Sequence, residues 1–145
     1  MRKLLACVML FAVIGFAGCG DSSTDVETQA SLVGTWDAQT FNGQPLPYTQ
    51  TETSGGTTIT VVISKFSVTF TPQTFTVITT ASVSSPGQPA QTINETSSGT
   101  YRVSGSTLFT TEGGVEDSGS YTLSGNTLTL SSPGDLVATI VLKKR

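Results

Sequence analysis

Few side chains in this 145-residue sequence can do chemistry at neutral pH. There is no histidine, and the two cysteines are Cys7 and Cys19. Without histidine the most common general base and the most common metal ligand are both missing. Serines are plentiful, but none sits in a Gly-X-Ser-X-Gly elbow or a Ser-X-X-Lys pair. Glu112, Glu116 and Asp117 are the one notable grouping of carboxylates. Their spacing matches no EF-hand, and beside Gly113-Gly114 they read as a solvated acidic loop. These residues predict a protein that is not an enzyme and that carries no metal and no cofactor. The thiol of Cys19 is the one reactive group whose setting needs explaining. It stands in FAGCGDSS, where a small, uncharged run ends and the chain turns polar.

Ahead of that thiol, Arg2 and Lys3 are followed by an uncharged apolar stretch from Leu4 to Ala17. Such a run is too short to span a bilayer comfortably and fits the apolar region of a secretory signal. Phe16-Ala17-Gly18-Cys19 resembles the lipobox of bacterial lipoproteins. The resemblance implies a signal peptide over residues 1–18, cleavage before Cys19, and diacylglycerol on its sulfur with a further acyl chain such as palmitate on its amine. One chain holds a protein to a bilayer only marginally, whereas two or three make a durable anchor. Gly20 follows, not the aspartate that marks inner-membrane retention in enteric bacteria, so the outer membrane of the cell envelope is the expected location. Cys7 lies in the segment removed, which leaves the processed chain without an internal disulfide.

Loss of Arg2 and Lys3 would leave five basic and ten acidic residues. That mild acidity excludes nucleic acid as a partner and gives no basic patch for anionic headgroups. Residues 19–30 are polar and acidic after the cysteine and read as a flexible tether. From residue 31 the texture changes. Thr, Val, Ile, Phe and Tyr dominate, often in alternation, and no helical period follows. Residues 31–145 therefore read as one all-β domain, expected as a monomer.

An internal repeat organises that domain. Gly99-X-Tyr101-X-Val103-Ser-Gly105-Ser-Thr-Leu108 returns twenty residues later as Gly119-X-Tyr121-X-Leu123-Ser-Gly125-Asn-Thr-Leu128. Each copy predicts a hairpin around a two-residue Gly-X turn. Pairing outward sets Leu123 against Leu128, Tyr121 against Leu130, Val103 against Leu108 and Tyr101 against Thr110. Further strands are expected over residues 32–40, 57–70, 75–83 and 136–143. In 57–70 the apolar parity slips near Ser64-Lys65, which marks a bulge or a turn. With a bulge the count is eight strands. Short turns then gather at one end, and longer connections (residues 42–56, 84–98, 113–118 and 132–135) gather at the other. The expected architecture is an antiparallel, up-and-down eight-stranded barrel shaped as a cup.

Leu32-Val33-Gly34-Thr35-Trp36 on the first strand resembles the Gly-X-Trp motif of lipocalins, and the repeat resembles small bacterial lipocalin-like lipoproteins. The resemblance covers residues 32–145. It implies that Gly34 and Trp36 form a structural motif at the closed end, with Trp36 under a cation from the last strand, Lys143 or Arg145.

Two readings of function follow. In one, the cup binds a small apolar or amphipathic ligand through a mouth formed by Phe41, Leu46, Tyr48, Ile59, Val83, Tyr101, Tyr121 and Leu136, with residues 42–56 as a lid. In the other, aromatic side chains fill the barrel solidly. The protein is then a protein-binding or structural envelope module, such as a hydrolase inhibitor or an assembly partner.

Overall fold

A computed structural model describes Gln29 and residues 31–132 and 139–145. The signal peptide, Cys19, the tether up to residue 28 and Leu136 lie outside the described residues. Gln29, Ser31 and Leu32 have helical backbone, and the described residues that follow are strands joined by turns and short irregular segments. The strands are β1 (Gly34–Phe41), β2 (Gln44–Pro45), β3 (Tyr48–Ser54), β4 (Thr57–Phe70), β5 (Thr74–Ser84), β6 (Gln91–Ser104), β7 (Thr107–Glu112), β8 (Val115–Ser124), β9 (Thr127–Ser131) and β10 (Thr139–Lys144). Each of β4 to β10 pairs antiparallel with the next, and β1 pairs with both β10 and β4. Eight strands thus close into an up-and-down barrel.

The repeat hairpins pair as the alternation predicts: Val103 with Leu108, Tyr101 with Thr110, Leu123 with Leu128 and Tyr121 with Leu130. Gly105 and Gly125 both have φ of 56°, the positive value a Gly-X hairpin turn needs at its first central residue. The parity slip in β4 is a bulge. Ile63 pairs with Ala81 and Lys65 with Thr80, which leaves Ser64 over, with its hydroxyl donating to the Thr80 carbonyl.

The far end differs from the expected loops. Residues 42–56 are not a lid: they hold β2 and β3, and β3 returns into β4 through Gly55-Gly56. β6 begins at Gln91, so the connection from β5 spans only 85–90. Gly113-Gly114 is a two-residue turn, and Glu112, Glu116 and Asp117 stand on strands rather than in a loop. Each Gly-Gly pair has positive φ at both residues, as type I′ turns require. Tight turns therefore stand at both ends of the barrel.

The core fills the half toward the Gly105 and Gly125 turns, which forms a floor. Trp36, Leu32, Leu128 and Leu142 have no exposed surface, and Phe70, Phe75, Val103 and Leu108 pack with them. Arg145 seals the outside of this end by a paired hydrogen bond to Asp37, at 2.9 and 3.0 Å.

Candidate functional site

Alternation from buried anchors fixes which side chains face inward. Trp36 on β1 is buried beneath Lys144, whose Nζ lies 5.1 Å from the indole centroid and 3.4 Å from the Ser31 carbonyl. The indole N–H donates to the Leu32 carbonyl at 2.7 Å. The cation over the tryptophan is therefore Lys144, not Lys143 or Arg145. Leu142 and Lys144 share the inner face of β10, whereas Lys143 faces out and Arg145 binds Asp37. Gly34 has φ of 135°, and a methyl group there would lie 2.7 Å from the Lys144 side chain. Gly34 and Trp36 thus work as a pair: the glycine leaves the path along which the lysine reaches the ring.

Tyr101 and Tyr121 are part of the same floor and do not line the mouth. The Tyr101 hydroxyl donates to the Thr71 carbonyl at 2.8 Å and to the Gln29 carbonyl at 3.4 Å. The Tyr121 hydroxyl donates to Gly105 at 3.1 Å. Thr71 and Gly105 lie in or beside short turns, so the repeat is a pair of latches that tie a strand to the preceding turn. Their backbones do the same, since the Tyr101 and Tyr121 amides donate to Gln73 and Ser106. Burial pushes the Tyr101 phenol above its ordinary range, partly offset by hydrogen bonding with Gln29. The expectation at the mouth went wrong with the strand starts: with β6 beginning at Gln91, Tyr101 falls far along it.

A family model described as a lipocalin-like domain matches residues 32–130. The chain belongs to the lipocalin-like domain family. No curated protein sequence matches it significantly. A lipocalin-like barrel suits ligand binding in general.

The half of the lipocalin-like barrel above the floor has two unlike walls. On one side Phe41 stacks on Tyr48 at 5.5 Å and meets Phe66 edge-on at 5.4 Å. Leu46, Ile140 and Leu130 pack beside them. Of the sequence-predicted mouth residues, Phe41, Leu46 and Tyr48 are brought together here. Asn42 pins this rim: its amide donates to the Thr139 carbonyl, and its side-chain oxygen accepts from the Thr139 amide. Ile59 and Val83 lie further out, on the inner face of the hairpin sheet, where Val83 pairs with Val61. On the other side, alternation from Phe75, Tyr101, Leu108 and Tyr121 brings Val77, Ser97, Thr110 and Asp117 to the lumen. Ser97 is buried, and its hydroxyl has no hydrogen-bond partner. Partial burial pushes the Asp117 carboxyl upward. None of the second wall was anticipated, although counting back in twos from Tyr101 and Tyr121 would have found Ser97 and Asp117.

An open concavity of about 430 Å³ lies elsewhere, around Gly119 on the outer wall, where Thr107, Ser118, Ser120 and Ser131 face away from the lumen. Among the described residues no group of three His, Cys, Asp or Glu could hold a metal ion.

Proposed function

We propose that this protein is held to the cell envelope by acyl chains on Cys19 and takes up one small apolar or amphipathic molecule through the open end of its barrel. The observation that carries the binding reading is the partial exposure of inward-facing Phe66, Val77, Leu130 and Ile140 above a floor of fully buried residues. Inward apolar surface left in water is the surface a ligand would cover, at roughly 25 cal/mol per Å² of gain. The anchor reading rests on the lipobox resemblance, and the outer membrane on Gly20. Gln29 donates to the Pro72 carbonyl beside the floor, so a tether from Cys19 reaches the barrel at its closed end. In this reading the mouth faces away from the membrane that holds the protein.

A second reading, the protein-binding module, has one observation in its favour. β3 ends the strand order, and its outer edge carries no neighbour among the described residues. A partner's strand could add there.

The test is a native mass spectrum of residues 22–145 exported to a Gram-negative periplasm. A reproducible extra mass, lost on denaturation, supports the ligand reading. A clean mass, unchanged after incubation with fatty acids and phospholipids, contradicts it and favours the module. Fractionation of cells expressing the full chain tests the anchor: Cys19→Ser should leave the detergent-extracted membrane fraction, and retention there would refute acylation.

A further inference from the structure

The inner face of the open half carries negative charge and no positive charge to balance it. Glu95 is two residues from Ser97 on β6 and shares its face. Asp117 is directly opposite Thr110, and Glu112 continues the same side of β7. Across the mouth, Glu52 pairs with Ile59 on the inner side of β3. The described cations are all elsewhere. Lys65 pairs with Thr80, one step out of phase with inward Phe66 and Thr79. Arg102 lies outside over the Phe109 ring, 3.7 Å from its centroid, and binds Glu116. Lys143 faces out, Lys144 is held over Trp36, and Arg145 binds Asp37.

A separate observation points to a ligand. Ser97 is only 9 % exposed, it faces the lumen, and its Oγ is buried without a partner. A buried hydroxyl left unpaired has lost its hydrogen bonds to water, and a donor arriving in the lumen would satisfy it. The facing wall of Phe41, Tyr48 and Phe66 offers apolar surface for an alkyl tail. An N–H donor with positive charge and an apolar tail satisfies all three features at once.

We infer that the lipocalin-like cup selects amphipathic ligands with a protonated amine, the alkyl chain against Phe66, Leu130 and Ile140 and the ammonium beside Ser97, between Glu95 and Glu112. This rests on the ligand-binding reading above and names the ligand class.

The experiment compares octylamine, octanol and octanoate on the full chain, purified as the cell processes it, by calorimetry at low ionic strength. Octylamine should bind at least about tenfold more tightly than octanoate, and salt should shrink the difference. Glu95→Gln with Glu112→Gln should cut the preference for octylamine over octanoate severalfold. Ser97→Ala should weaken octylamine. Binding of octanoate equal to or tighter than octylamine would overturn the amine assignment while leaving the cup intact. Failure of all three to bind would overturn the ligand-binding reading itself.

Discussion

At Gly34 the backbone sits at a φ of 135°, and Lys144 fills the space where a side chain would go. An alanine there meets both a conformation that L-residues avoid and the lysine stem. Gly34→Ala should cost about 1–3 kcal/mol, read as a lowered denaturation midpoint. Adding Lys144→Ala should recover only the steric part. Tyr101 gives a second residue-scale expectation. Tyr101→Phe removes the bonds to Thr71 and Gln29 and should cost about 1 kcal/mol. Because the phenol's pKa is raised in the folded barrel, the unfolded chain gives up that proton first. Stability should therefore be complete at neutral pH and fall as pH rises above about 10. Thermal midpoints across that range should fall less steeply in Tyr101→Phe than in the parent. Equal slopes would show that Tyr101 is not the titrating group.

Among the elements, the twenty-residue repeat has a packing meaning beyond its turns. A Cβ on Gly99 would collide with the Thr111 carbonyl oxygen, and one on Gly119 would lie 2.9 Å from that of Ser131. These contacts are themselves twenty residues apart, so both glycines let one strand press on the next at equivalent points. Gly99→Ala and Gly119→Ala should each destabilise by about 1–3 kcal/mol, Gly99→Ala more, as measured by urea unfolding. The reverse order would contradict this account.

The repeat hairpins and their pairings were legible because turn chemistry and alternation agree around Gly105 and Gly125. β3 and the first half of β6 were not. Their sequences, YTQTETS and QTINETSS, alternate little because neither face is fully buried. One face is in solvent and the other overlooks an open mouth. The Gly55-Gly56 and Gly113-Gly114 turns did carry a readable signal, and it would have corrected both the lid and the position of the tyrosines. Lys144 was hidden by its identity, since a lysine at an inward position reads as a strand end.

At the scale of the whole molecule, the barrel divides its work between its ends. The floor gathers Trp36, the tyrosine latches, the incoming chain at Gln29 and the basic C-terminal residues. The open end gathers partly exposed apolar side chains, inward carboxylates and the unpaired Ser97 hydroxyl. The central claim is that binding belongs to the second half alone. An amide NMR titration with octylamine tests it most directly. Shifts are expected at Phe41, Phe66, Val77, Ser97, Leu130 and Ile140, with Leu128 and the Trp36 indole unmoved. Shifts confined to the floor, or to Ser118, Ser120 and Ser131 on the outer wall, would contradict it.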